Sequence, residues 1–428
     1  MLAGNTKLYE ERLQKEQNFS VLKFSAIYGA NAAGKTTLID ALADMQKILM
    51  IGLPDFIRPI YYRLDEKSKF EPTYFEVLLW IGGQEFLYGF EYDSNENRLL
   101  SEWFVEVKAT KEKEIYTRDI RNGIYTCDKN CNKKTGGKMS MYLDDIKSDD
   151  SKLFLSFINS TKKSTVIEQN PELGIIYEWF SKSLSITKPD SVLTSGDYFL
   201  VEEKLNKLAN LLKAFGTGIR SINSVDVDRE IAMQSIPLRI IDDLKSKAFE
   251  AQKNGKTGKY GIILRSRSNL WIIKLDDKDM LYKKICFYHD EQQKIPFFIN
   301  DESAGTVRVI DLAETLLTEK DNQLFVIDEL DRKLHPQLTY KFVQLFLEHA
   351  KKANNQLIVT THESRLLDFG LLRRDEIWFS DKDKFGESKL YSLEEFNVRF
   401  DKKIDKAYLD GRYGGVPIFD SVFPVIEK

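Results

Sequence analysis

Val21–Tyr28 (VLKFSAIY) is an almost unbroken apolar run of strand length, and it ends on a loop of small residues, Gly29–Gly34 (GANAAG). From Lys35 to Leu49 the period changes. Leu38, Leu42, Met45 and Leu49 recur at helical spacing, which predicts a helix with one apolar face. Tyr74–Ile81 (YFEVLLWI) and Phe86–Tyr92 (FLYGFEY) flank a Gly82-Gly83 turn, a β-hairpin pattern, and Glu102–Val107 predicts a further strand. Residues 108–140 are polar, lysine-rich and glycine-bearing, and read as a hairpin or exposed loops. From about 141 to 285 helical patterning dominates, as in Val201–Phe215 and Ile236–Ala251. No fixed-period repeat or long heptad array is present, so no extended coiled coil is expected.

Beyond Phe297 strands and helices alternate. Thr306–Leu317 predicts an amphipathic helix, Leu324–Asp328 (LFVID) a short strand, and Pro336–Ala353 a helix with proline in its first turn, where the missing N–H costs nothing. Gln356–Thr361 and Glu376–Ser380 predict two more strands. Such alternation implies an α/β fold with a largely parallel sheet. The expected organisation is a split α/β domain, residues 1–107 and 291–428, closing around an insertion at 108–290 that holds polar loops and then a mostly helical subdomain.

With 428 residues and 42% hydrophobic content the chain can bury a sizeable core. The net charge of −3 names no partner. Three cysteines, Cys127, Cys131 and Cys286, do not make a disulfide framework, so a reducing, cytoplasmic setting is expected. The first residues lack the basic-then-apolar pattern of a signal peptide. No stretch approaches the roughly 18 apolar residues of a membrane span.

The chemistry concentrates in four segments. Gly29-Ala30-Asn31-Ala32-Ala33-Gly34-Lys35-Thr36 matches G-x-x-x-x-G-K-[ST] in the strand–loop–helix setting it requires. Backbone N–H groups of Gly29, Asn31, Ala32, Ala33, Gly34, Lys35, Thr36 and Thr37 are the expected phosphate cradle, at the positive end of a helix. Lys35 would reach the β- and γ-phosphates of ATP, and the Thr36 hydroxyl would ligate Mg²⁺. Second, Asp328 and Glu329 follow an apolar strand. Asp328 would hold Mg²⁺, and Glu329 would activate the attacking water. Third, His362 ends the next strand (IVTTH) and would contact the γ-phosphate. Fourth, Ser303 is placed as the cap of the helix beginning near Thr306, with Gly305 letting a phosphate approach. These side chains are expected to meet on one triphosphate although almost three hundred residues separate Lys35 from Asp328.

These elements, in this order, resemble the AAA-family, ABC-type ATPases of the SMC and OLD branch. The nearest likeness is to the RloA-like, AbiL-like and PARIS-system ATPases of bacterial anti-phage loci. It rests on Ala26–Lys35, Glu302–Thr306, Asp328–Pro336, Thr361–Ser364 and the tail Ala407–Gly414. The resemblance implies a P-loop NTPase of the ABC/SMC-like head type. In it Ser303 and Gly305 occupy the signature position, Asp331 the D-loop, and His362 the switch. It further implies a homo-oligomer, at least a dimer of heads sandwiching ATP, so that hydrolysis depends on dimerisation. The implied partners are a separate effector, often a TOPRIM-type nuclease, and a phage-encoded trigger. The signature reads Glu-Ser-Ala-Gly-Thr in place of the transporter form Leu-Ser-Gly-Gly-Gln.

Weaker signals have plainer explanations. Cys127-x-x-x-Cys131 lacks a second ligand pair for zinc and reads as a solvated loop. His289 reads as structural. Lys108–Lys138 mixes acids with its lysines and reads as a solvated ribbon, with nucleic acid left open as a partner. The main alternative to a defence ATPase is an SMC-like ATPase of DNA maintenance. A transporter subunit is disfavoured by the signature and by the large insertion.

Overall fold

The computed structural model describes residues 1–4, 6–15, 19–53, 60–108, 111–160, 164–189, 191, 199, 201–253, 260–265, 269–276, 279–396 and 404–416. Along the chain, β1 (Leu13–Lys15), β2 (Ser20–Leu22) and β3 (Phe24–Tyr28) precede α1 (Lys35–Ile51). A meander follows: β4 (Thr73–Ile81), β5 (Gln84–Asp93), β6 (Arg98–Lys108), β7 (Lys111–Asp119) and β8 (Ile124–Cys127). Then come α2 (Lys129–Lys134), α3 (Lys138–Asp145), α4 (Phe154–Ser160), α5 (Ser164–Gln169) and α6 (Pro171–Glu178). Next are β9 (Leu184–Thr187), α7 (Glu202–Ala214), β10 (Ser221–Asp226), α8 (Arg229–Met233), α9 (Leu238–Lys253), β11 (Tyr260–Arg265), β12 (Leu270–Asp276) and β13 (Asp279–Tyr288). The last stretch is α10 (Ala304–Leu317), β14 (Leu324–Ile327), α11 (Pro336–Ala350), β15 (Gln356–Thr360), β16 (Ile377–Lys382), β17 (Ser388–Ser392) and α12 (Ile404–Leu409).

Two compact units result. The first takes Met1–Ala33, Ser185–Asp381 and Leu390–Lys428; the second takes Gly34–Leu184 and Lys382–Lys389. The division falls inside the glycine loop.

The first unit is organised by a six-stranded sheet in the order β17-β16-β3-β15-β14-β9. β16, β3, β15 and β14 are mutually parallel. Every residue of β3 is buried, as expected for a central strand covered on both faces. The predicted strand Val21–Tyr28 breaks at Lys23, which is buried and turns its ammonium onto the carbonyls of Ala350 and Ala353 at 2.7 and 2.8 Å. It thereby neutralises the negative end of α11.

The stretch expected to be mostly helical holds α3 to α9 and also a four-stranded antiparallel sheet, β10-β13-β12-β11. Leu270 and Ile272 of β12 enter the main core, whereas Trp271 and Ile273 pack with Ile241 and Leu244 of α9. Buried on both faces, β12 reads as a plain apolar run without the alternation that announces a strand.

In the second unit the meander is ordered β4-β5-β6-β7-β8. Its first turn is the expected one: Ile81 pairs with Gln84, and Gly82 and Gly83 take φ +61° and +82°, a geometry open to glycine. Residues 108–140, expected as hairpin or loops, form the β7–β8 hairpin and the short helices α2 and α3.

The N-terminal segment is pinned to the first unit by a buried charge cluster. Arg12 donates to Leu371 O at 2.5 Å, Gly4 N–H to Asp375 at 2.8 Å, and Arg373 pairs with Asp375 at 2.6 Å. Beside them Glu376 is fully buried, and its carboxyl is pushed up to about 8, chiefly by desolvation, against the pull of Arg12 and Arg373. Protonation is thus favoured in the folded state. Stability from this group is complete below about pH 4.5 and is lost as pH rises through about 8, by roughly 3–5 kcal/mol. Glu376→Gln should flatten that decline in urea unfolding between pH 5 and 8.5; an unchanged slope would show that Glu376 does not cause it.

Candidate active site

Three parallel strands end level with one another. Ile27 of β3 lies opposite Thr360 of β15, and Val359 of β15 opposite Ile327 of β14. Gly29–Ala33, Thr361–His362 and Asp328–Glu329 therefore leave the same end of the sheet, the end at which parallel α/β sheets bind ligands. Thr361 N–H donates to Ile27 O at 3.1 Å, tying the middle strand's exit to that of β3.

The glycine loop turns sharply. A Cβ at Gly29 would lie 2.5 Å from Ser380 O, so only glycine fits there. Gly34 takes φ +100° and Ala32 φ +65°, the latter uncommon for a residue with a side chain. α1 begins at Lys35, which is buried, while Asn31, Ala32, Thr36 and Thr37 are exposed. The first-turn N–H groups of such a helix have no intrahelical acceptor and suit an anion.

Asp328 is 1% exposed. Its Oδ1 accepts from the Thr360 hydroxyl, and its Oδ2 is buried with no hydrogen-bond partner among the described residues. An ionised oxygen left so is costly. A Mg²⁺ ion or one of its waters would satisfy it, and Mg²⁺ commonly uses one or two carboxylates together with substrate phosphates. The residues therefore fit that ion.

Glu329 stands at φ +49°, a strained position held from three sides. Its N–H donates to Thr360 Oγ1 at 2.8 Å, and its carbonyl accepts from Arg308 Nη2 at 3.0 Å and from Arg332 N–H at 3.1 Å. Arg308 also reaches Asp328 O at 3.3 Å. The Glu329 carboxylate lies 3.5 Å from Arg332 Nη1, both well exposed, a pairing worth little. The left-handed backbone at this surface carboxylate is thus kept in place by buried groups around it.

Asp331 joins two of these loops: its Oδ1 accepts from Thr361 Oγ1 at 2.6 Å and His362 N–H at 3.1 Å. His362 itself is exposed. Ser303 caps α10, accepting from Thr306 N–H at 3.1 Å. A Cβ at Gly305 would lie 3.2 Å from Lys333 O, so the start of α10 packs against the turn after β14. Thus Asp328, Glu329, Asp331, His362 and the start of α10 are brought together with the base of the glycine loop at one sheet end.

Two further contributors escaped the motif reading. Thr360 lay inside the IVTTH segment, yet only its pairing across to β14 shows that it serves both acids. Arg308 had one signal, a charge sharing a helix face with Leu312. His289 is structural, its Nε2 2.9 Å from Glu302 and its ring against Phe297. Cys127 and Cys131 are free thiols; Cys131 is buried, its thiol pushed up to about 11 chiefly by desolvation. Among the described residues no group of three or more His, Cys, Asp or Glu is placed to hold a metal, and no helix is long and apolar enough to cross a membrane.

Comparison with known proteins supplies the family. The model described as "AAA domain, putative AbiEii toxin, Type IV TA system" matches residues 24–126 and 259–368. A search of curated proteins found no significant match. Similar solved structures include an SMC head bound to the C-winged helix domain of ScpA (15% identity, 89% of this chain and 94% of that one, TM-score 0.36). The SMC head domain from Thermotoga maritima is 14% identical over 89% and 96%, TM-score 0.30. An SMC head with an extended coiled coil bound to the C-terminal domain of ScpA, from Pyrococcus furiosus, is 14% identical over 87% and 91%, TM-score 0.35. The two matched segments contain the glycine loop, the Asp328–Glu329 turn and His362, and the chain is an AAA-family P-loop ATPase.

Proposed function

We propose that this ATPase is the ATP-dependent sensor and scaffold of an anti-phage, abortive-infection system, acting through a separate effector, with a nuclease the expected kind. The ATPase chemistry rests on one observation above the rest: the buried Oδ2 of Asp328, which has no partner among the described residues and is held beside Glu329 by Thr360. The defence setting is supported by the AbiEii toxin in the matched family's description.

In this reading the loop N–H groups and Lys35 hold the triphosphate, and Thr36 and Asp328 hold Mg²⁺. The ion, when bound, neutralises charge on the β- and γ-phosphates. Glu329 accepts a proton from the attacking water, and His362 steadies the γ-phosphate. Ser303 and Gly305 meet the nucleotide of a second copy, so turnover requires a homodimer at least. The protein works in the cytoplasm.

The test is phage plating on cells carrying the locus. Wild type should reduce plaque formation, and Lys35→Ala should restore it to the level of cells lacking the locus. Protection that survives both Lys35→Ala and Glu329→Gln would remove ATP from the mechanism. DNA-stimulated hydrolysis without protection would point to DNA maintenance instead.

A further inference from the structure

The glycine loop is gripped at both ends by residues outside its motif. At its start, the Tyr408 hydroxyl accepts a hydrogen bond from the Gly29 backbone and donates to Gly415 O at 3.0 Å. Gly415 itself lies flat on the loop: a Cβ there would come within 3.3 Å of Gly29 Cα. At the loop's far end, Ser380 Oγ donates to Ala33 O at 2.8 Å. Between the two grips sits Ala32 in its left-handed conformation, which a non-glycine residue keeps only when its surroundings over-determine it.

The grip is itself rigid. The rings of Tyr408 and Tyr413 each stack on Phe379 with centroids 5.7 Å apart. Tyr408 meets Tyr28, the last residue of β3, edge-on at 5.6 Å. Tyr391 OH donates to Tyr413 O at 2.7 Å. Gly414 and Gly415 both take φ +68°, so the backbone can turn over the loop where side chains would collide. One such collision would be with Tyr391 OH, 2.5 Å from a Cβ at Gly414.

We propose that Tyr408 and Ser380 are positioning residues for ATP, clamping the two ends of the P-loop so that its N–H groups are aligned before a phosphate arrives. With its own N–H committed to Tyr408, Gly29 contributes closeness of approach, and the phosphate donors begin farther along the loop. A loop already in its bound shape does not spend binding energy on being ordered. Loosening either grip should therefore weaken binding and leave the chemical step alone.

The inference rests on the ATPase reading, so the experiment starts with wild type. A fluorescent ATP analogue with Mg²⁺ gives Kd, phosphate release gives KM and kcat, and a thermal melt is taken with and without ATP. Failure of wild type to bind would overturn the ATPase reading itself and the clamp with it. With wild type binding, Ser380→Ala, which removes one hydrogen bond, is expected to raise Kd and KM about fivefold, and Tyr408→Phe, which removes both bonds of that hydroxyl, at least as much. Saturated kcat should stay within about twofold, and the melting temperature without ATP should hold while its rise with ATP shrinks. Unchanged Kd in both variants would overturn the proposal alone. So would a fall in kcat and in the ATP-free melting temperature at constant KM, the pattern of a purely structural role.

Discussion

Glu329→Gln is expected to slow ATP turnover by about 10²- to 10⁴-fold, the range over which a positioned base acts, while ATP still binds. The substitution keeps size and shape. It leaves intact the contacts that hold the turn, because Thr360, Arg308 and Arg332 N–H bind the backbone of residue 329 and not its side chain. Among the described residues the contact given up is the ion pair with Arg332, which is worth little in so exposed a place. Phosphate release measures the first half of the expectation, and retention of labelled ATP through gel filtration the second. If two heads close on ATP, the same column run should show a larger, ATP-dependent species. Turnover within about threefold of wild type would remove Glu329 from the chemical step.

Glu102→Ala should cost about 3–5 kcal/mol of unfolding free energy, the range for a buried charge network that loses one member. Glu102 is 1% exposed in the middle of β6. Its Oε1 accepts from Tyr88 OH at 3.1 Å, Tyr116 OH at 2.8 Å and Leu155 N–H at 3.1 Å, and its Oε2 from Phe154 N–H at 2.6 Å. One carboxyl thus joins three strands of the meander to the start of α4. Alanine would strand four buried donors in an apolar pocket. Chemical unfolding checks this, and a loss under about 1 kcal/mol would mean that water replaces the carboxyl. Glu102→Gln should fall between the two.

What the sequence disclosed follows from the range of each interaction. The glycine loop and α1 are written locally, in consecutive residues, and α1 begins at the lysine where the motif places it. The Leu324–Ile327 strand was visible as four apolar residues before two acids. Thr360 and Arg308 were not visible, because each acts across a gap of 20 to 32 residues that only strand pairing and helix packing close. The four-stranded sheet at 221–288 hid for another reason: β12 is apolar on both faces, and periodicity cannot tell such a strand from a buried helix. The tail around Tyr408 was noticed through its family likeness alone. Its contact with Gly29 joins residues almost four hundred positions apart, and no local pattern encodes it.

The central place of β3 also governs how the protein is made. Phe24 to Ile27 can find their neighbours only when Leu357 to Thr360 and then Ile377 onward have been synthesised. At roughly 5–20 residues per second the nascent chain carries an unpaired apolar segment for about 20–70 seconds. Closing so long a loop is slow as well as late. The proposed nucleotide site is thus among the last features to form, and a chain cut short before residue 357 would leave a strand that is wholly buried in the fold without either of its sheet neighbours.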